Sequence, residues 1–128
     1  MSADFTVICL RTASGPVLSF SGELDAATAP AARAEINTLE LSAGQLLVMD
    51  LSGLEFCDSS GITALLAARN RATDAGASIA LAAIPANLSR IFTLIGLTMV
   101  FTSYASVAEA HGEWNVPPPD PQPVAASD

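Results

Sequence analysis

Two kinds of apolar pattern alternate along this chain: short β-branched runs, and longer stretches repeating at helical spacing. Phe5-Thr6-Val7-Ile8-Cys9-Leu10-Arg11 is rich in β-branched and aromatic residues and reads as a first strand. Ala13-Ser14-Gly15-Pro16 is a turn, and Val17 to Ser21 follows as a hairpin partner. Gly22-Glu23-Leu24-Asp25 ends that strand in a loop carrying two carboxylates. Thr28 is suited to cap a helix, with Pro30 in its first turn, where a missing N–H costs little. This helix is expected to run to Leu39 or Glu40, with Ile36 and Leu39 inward. Leu46 to Leu51 is a nearly unbroken apolar run, as in a central strand covered on both faces. A short acidic connection follows it. Asp58-Ser59-Ser60 then sets three cap-capable residues before an Ala/Leu-rich helix that ends at Ala75, ahead of Gly76.

At 3.6 residues per turn, Ile62, Leu65, Leu66, Ala68 and Ala72 form the inner stripe of that helix. Ser59, Thr63, Ala67, Asn70 and Asp74 fall on the opposite side, a face of small and polar groups. Arg69 falls within the apolar stripe and must snorkel or pair with an acid. Ser78 to Ala82 is the next strand. Leu88, Ile91, Phe92 and Ile95 then follow the i, i+3, i+4, i+7 spacing of an amphipathic helix, opened by Pro85 and closed by Gly96. Met99-Val100-Phe101 is a short last strand and Ser106 to about His111 a final helix. The alternation predicts an α/β domain with a mixed β-sheet of about five strands: a hairpin first, then strands linked by packed helical crossovers. Residues 1–114 are assigned to that domain. Residues 115–128, with Pro117-Pro118-Pro119-Asp120-Pro121-Gln122-Pro123, are assigned to a proline-rich disordered tail.

The charge balance narrows the partners. A net charge of −8, with five arginines and no lysine, argues against nucleic acid, whose phosphates need clustered cations. An anionic membrane surface is disfavoured for the same reason, and no apolar run approaches the ~20 residues that span a bilayer. Met1-Ser2-Ala3-Asp4 lacks the basic-then-apolar layout of a signal peptide, so a cytoplasmic location is expected. The two cysteines fit a reducing compartment. Cys9, inside the first strand, is expected in the core. Cys57 lies beside a helix start that would lower its pKa and between Glu55 and Asp58, which would raise it. The two are not expected to pair.

Catalytic chemistry finds little support. Asp58-Ser59-Ser60-Gly61 is not a G-x-S-x-G elbow, and the single histidine, His111, lies at the far end of the domain. There is no phosphate-binding G-x-x-x-x-G-K-[ST] loop. One histidine and two distant cysteines make no zinc set, and Glu23, Asp25, Asp50, Glu55 and Asp58 are read as solvated rather than as a cation site. The chain is therefore read as a non-enzyme without metal or cofactor. What stands out is Ser59: a hydroxyl at a helix start, next to unpaired N–H donors and to acidic neighbours.

Asp50-Leu51-Ser52 with Phe56-Cys57-Asp58-Ser59-Ser60-Gly61 resembles the signature of the STAS family, the anti-sigma factor antagonists of bacteria. Gly22-Glu23-Leu24-Asp25 with Thr28 upstream, and Pro85 to Leu97 downstream, extend the resemblance over roughly residues 5–111 in the family's order. The resemblance implies a partner-switching binding module. Its unphosphorylated form would bind an anti-sigma factor that is also a serine kinase, releasing a sigma factor and so regulating transcription. Phosphorylation of Ser59, with Ser60 the runner-up, would end that binding, and a serine phosphatase would restore it. Glu23, Asp25, Asp58, Ser59, Thr63 and Ala67 are the expected partner-binding residues. Asp25 matches the family's acidic loop position, which an Asx turn would equally explain, and Asp58 is expected to cap the helix. Thr63 stands where the family often has a glycine. The alternative is a STAS scaffold or ligand-sensing subunit of a larger assembly that is never phosphorylated.

Overall fold

The computed structural model describes residues 5–115. Five strands form one sheet in sequential order: β1 (Thr6–Thr12), β2 (Gly15–Leu24), β3 (Leu46–Cys57), β4 (Ser78–Ala82) and β5 (Thr102–Tyr104). β1 and β2 pair antiparallel as a hairpin, and every later neighbour pair is parallel. Parallel neighbours need crossovers, supplied by α1 (Ala29–Asn37), α2 (Ser59–Ala75) and α3 (Ala86–Leu94). Right-handed crossovers that step in one direction across a sheet land on one face. Accordingly Ile36 of α1, Leu65 of α2 and Phe92 of α3 share one core with Leu18, Phe20, Leu47, Met49, Leu51 and Leu81. After β5 no further strand follows among the described residues, and α4 (Val107–Asn115) turns under the sheet instead. There Ala110 packs with Val17, Leu46, Val48, Ala80 and Ala82. The mixed α/β sheet and the doubly covered central strand are thus both present.

Element ends follow local chemistry where that chemistry is strong. Gly76 closes α2 in the left-handed region at φ 76°, and the Ala77 N–H donates back to the Ala72 carbonyl. Gly96 takes the same conformation after α3. Where pairing across the sheet decides, the sequence pattern misleads. β3 does not stop at Leu51 but continues through Cys57, because β2 continues beside it as far as Leu24. The expected acidic connection is strand. Met99-Val100-Phe101 is not the last strand; Leu97–Met99 is a 3-10 turn and β5 begins three residues later at Thr102. The final helix runs past His111 to Asn115, so Asn115 belongs to α4, while the rest of the expected tail, 116–128, lies outside the described residues.

Three side-chain expectations change as well. Cys9 is exposed, because β1 is an edge strand and α1 ends before covering it; a cleft lined by Cys9, Arg11, Thr38 and Glu40 remains there. On α3 only Leu88 and Phe92 reach the core, whereas Ile91 and Ile95 stay largely open. Arg69 pairs with no acid among the described residues: its Nε donates to the Val100 carbonyl at 3.2 Å.

The two sides of α3 can be told apart by truncation. Phe92→Ala should cost about 3–5 kcal/mol in urea unfolding. Leu94→Ala, on the open side, should stay within about 0.5 kcal/mol of wild type.

Candidate functional site

The β2–β3 seam ends with Leu24 beside Cys57, and the next residue begins the site. The Asp58 N–H donates to the Leu24 carbonyl at 3.2 Å, fastening the start of α2 to the end of β2. Asp58 has extended backbone and is the N-cap of α2. Its Oδ1 accepts from the Ser60 and Gly61 N–H groups at 2.9 and 3.1 Å, and its carbonyl accepts from Ile62 N–H at 3.0 Å. The side chain thereby satisfies two of the four N–H groups that a helix start leaves open, the Leu24 carbonyl takes that of Asp58 itself, and the bond from Ile62 is the first of the helix ladder. The donors expected to lie free beside Ser59 are therefore mostly occupied, two of them by the carboxylate of its acidic neighbour Asp58.

The first turn of α2 sits hard against the seam. A Cβ on Gly61 would lie 2.7 Å from Cys57 Sγ, 2.7 Å from the Leu24 carbonyl oxygen and 2.8 Å from Leu24 Cγ. Only glycine allows that approach. Burial, and secondarily the Asp58 carboxylate, push the Cys57 thiol up to about 12, so it stays protonated at neutral pH.

On this platform Ser59 is the first residue of α2 and is exposed. Its Oγ has no hydrogen-bond partner among the described residues, while its carbonyl accepts from Thr63 Oγ1 at 2.9 Å. Ser60 is half-buried and turns toward α1. With Thr63, Ala26, Ala29, Pro30 and Arg33 it lines a cleft of about 280 Å³ between the starts of α1 and α2. Ala67, two turns further along α2, is half-buried and does not line that cleft.

Asp25 lies across the cleft, in a knot of its own. Its Oδ1 accepts from Ala27 N–H at 3.0 Å and Thr28 N–H at 3.2 Å, an Asx turn. Thr28 Oγ1 accepts from the Asp25 N–H at 2.9 Å and donates to the Glu23 carbonyl at 2.7 Å. Thr28 thus holds the loop together, whereas α1 itself has no side-chain cap. Glu23 is the exposed penultimate residue of β2, opposite Phe56 of β3, which is also exposed. Asp50 is not at a strand end but within β3, accepting from Ser19 Oγ at 3.3 Å and Ser52 N–H at 3.0 Å.

The structure brings Asp25, Asp58, Ser59, Ser60 and Thr63 to one end of the sheet, with Glu23 beside them at the strand tips. It adds Arg33 and Phe56, neither singled out from the sequence. The outward position of Arg33 was readable, since Ala29, Ala32 and Ile36 take the inner stripe of α1. Its approach to Ser60 and Thr63 depends on how α1 packs on α2. Among the described residues no three of His, Cys, Asp and Glu are grouped to hold a metal ion, and no helix is long and apolar enough to cross a membrane.

The model of the STAS domain matches residues 8–110, all of the site and all of the sheet but its first two residues. The chain belongs to the STAS family. Among solved structures, an anti-sigma factor antagonist from Mycobacterium paratuberculosis is 28% identical, with a TM-score of 0.79 over 91% of this chain and 100% of that one. A STAS-domain anti-sigma factor antagonist from Planctomyces limnophilus shares the fold at 20% identity and TM-score 0.72, covering 84% of this chain and 96% of its own. So does the Bacillus cell fate determinant SpoIIAA in its phosphorylated form, at 23% identity and TM-score 0.61, covering 86% and 98%. No curated protein sequence matches the chain. The architecture is thus shared with anti-sigma factor antagonists.

Two measurements check the platform under Ser59. Gly61→Ala should destabilise the STAS domain by about 1–3 kcal/mol through overpacking. Gly112→Ala on α4, where a Cβ meets nothing within 4 Å, should instead stabilise it by roughly 0.5–1 kcal/mol. The thiols should differ too: at neutral pH a disulfide reagent should titrate Cys9 promptly and Cys57 only on unfolding. Because the folded-state pKa of Cys57 is raised, the stability linked to it is complete below the unfolded value of 9.0 and is lost as pH climbs toward about 12. Cys57→Ala should flatten that part of an alkaline stability profile.

Proposed function

We propose that this protein is a phosphorylation-controlled anti-sigma factor antagonist. Unmodified, it binds an anti-sigma factor that is also a serine kinase, and so frees a sigma factor for transcription. The kinase phosphorylates Ser59 and the complex separates; a serine phosphatase resets the cycle. The observation that carries this reading is the Ser59 hydroxyl, exposed and without a partner among the described residues, on a capped helix start. Support also comes from the similarity to an anti-sigma factor antagonist over nearly the whole chain, and from the shared fold of one whose phosphorylated form is known.

Charge is sufficient for the switch. A phosphoryl group adds about −1.5 to −2 charges at pH 7. Two unit charges ~4 Å apart interact by about 4 kcal/mol at an effective dielectric constant of ~20. Even a third of that changes affinity roughly tenfold. Because Asp58 already occupies the helix-end donors at Ser60 and Gly61, the added charge stays directed outward, toward the partner. Asp25, Asp58 and Glu23 form the acidic margin that the kinase meets, with Thr63 and Ala67 continuing the contact along α2. Ser60 is the poorer acceptor, since it is half-buried and faces the cleft toward Arg33. Thr63, in place of a glycine, narrows that cleft and selects the partner's shape there.

Intact-mass measurement with the cognate kinase and ATP, alongside a binding assay, tests the cycle. Ser59→Ala should abolish the phosphoryl mass gain, keep the fold and retain binding. Ser59→Asp should weaken binding, though less than phosphorylation does, since one carboxylate carries less charge. Ser60→Ala should leave the mass gain intact. Loss of the mass gain in Ser60→Ala but not in Ser59→Ala would move the acceptor by one residue. If neither change affects the mass gain and Ser59→Asp binds as wild type does, the switch at this helix start is refuted.

A further inference from the structure

Apolar surface that the core does not account for gathers on α3 and the 3-10 turn behind it. Ile91, Leu94, Ile95, Met99 and Val100 are 42, 78, 52, 87 and 42% exposed, within ten residues of chain. Scattered exposed apolar residues are ordinary. Together, however, these leave open the equivalent of about three large side chains, on the order of 600 Å², at the upper end of the largest apolar patch on a typical monomer. Leu88 and Phe92 already anchor α3 to the core, so its attachment does not need the other five.

The distribution of charge bears on what covers this surface. The chain carries 13 acidic residues, yet none falls between Asp74 and Glu109. The whole unit from β4 to β5 is free of carboxylates, with Arg90 its single charge. Arg69 reaches the margin from α2 but gives its Nε to the Val100 carbonyl. Two molecules of net charge −8 repel when their acidic surfaces meet; the β4–β5 unit and residues 5–22 are the two long stretches that bring no carboxylates to such an encounter, and the former sets five large apolar side chains there against two, Ile8 and Leu10, in the latter. A strongly acidic foreign partner would be met by a basic rim, and the patch has only these two arginines.

We propose that the α3 and 3-10 patch is the interface of a homodimer, packed against the same patch of a second copy about a two-fold axis. A standard interface buries about 800 Å² per partner. The apolar centre supplies most of that, and the exposed Thr93 and Thr98 supply a polar rim. Arg69 lies ten residues along α2 from Ser59, about 15 Å at 1.5 Å per residue, so the dimer leaves both Ser59 hydroxyls open. The inference does not depend on Ser59 being phosphorylated.

Sedimentation equilibrium of the full chain under reducing conditions, from about 5 to about 500 μM to bracket micromolar dissociation constants, tests it. Wild type should pass from monomer to dimer over that range. Leu94→Glu with Met99→Glu should raise the dissociation constant at least about 100-fold, while Ile8→Glu with Leu10→Glu, on the other exposed apolar strip at β1, should leave it unchanged. In wild type, amide hydrogen exchange across residues 91–100 should slow as concentration rises, a readout that does not rely on any variant folding. A wild-type chain that stays monomeric throughout overturns the proposal. So does a dimer that the α3 pair leaves intact, or one without concentration-dependent protection at 91–100.

Discussion

The parallel seam between β2 and β3, running on after the rest of the sheet has ended, is what the Ser59 end of this molecule depends on. β4 pairs with β3 only as far as Asp50, so the last seven residues of β3 have β2 as their sole strand neighbour. Register shifts between Ser19 and Ser21 and between Gly22 and Glu23 bend the pair as it extends. Its end sets Leu24 beside Cys57, and the Asp58 N–H closes onto the Leu24 carbonyl. Everything downstream is then fixed in position. The Asp58 carboxylate aligns the first turn of α2, Gly61 lets that turn rest on the strand ends, and Ser59 is left on the outer side. A hydroxyl on an exposed loop would sample many orientations. Here it has the rigidity of the sheet with the accessibility of a loop.

This arrangement changes what the helix end can do. A helix start with free N–H groups captures anions, and a phosphoryl group on it would tend to fold back against its own protein. Asp58 removes much of that option by taking the Ser60 and Gly61 N–H groups with its side chain, while its own N–H goes to the Leu24 carbonyl. The cap thus holds α2 in place, and in the proposed cycle it is also what keeps added charge facing outward. The same residue raises the Cys57 thiol further than burial alone, which leaves a cysteine two residues from Ser59 unreactive.

Legibility in the sequence tracks the range of the interaction concerned. α2 runs from Ser59 to Ala75 and β4 from Ser78 to Ala82, as their patterns predict, because Asp58 and Gly76 set those ends locally. The hairpin, the two-sided burial of Leu46 to Met49 and the Asp58 cap were legible for the same reason. The extension of β3 through Gly53 and Glu55 was not, because an irregular acidic stretch becomes strand only by pairing with a bulged neighbour some thirty residues earlier. Cys9 looked like core because its strand is apolar, and is exposed because α1 stops at Asn37. The cleft beside Ser60 was invisible for a related reason: Arg33 and Thr63 are thirty residues apart and meet only when α1 and α2 pack side by side.

The misreading of α3 has the most physical content. Leu88, Ile91, Phe92 and Ile95 satisfy the spacing of a buried helix face, yet the sheet beneath admits only Leu88 and Phe92. β4 is five residues long and β5 three, so α3 lies over the narrow edge of the sheet and cannot bury a wide apolar stripe. Its spacing therefore records more apolar surface than the monomer's own sheet can take. A chain stabilised only as an isolated domain would have no use for Leu94 and Met99 as they stand, since exposed apolar groups contribute little to folding and favour association. Carboxylates crowd the Ser59 end and are absent from this one. The fold thus holds two surfaces of opposite character, one rich in carboxylates around Ser59 and one apolar with only arginines for charge.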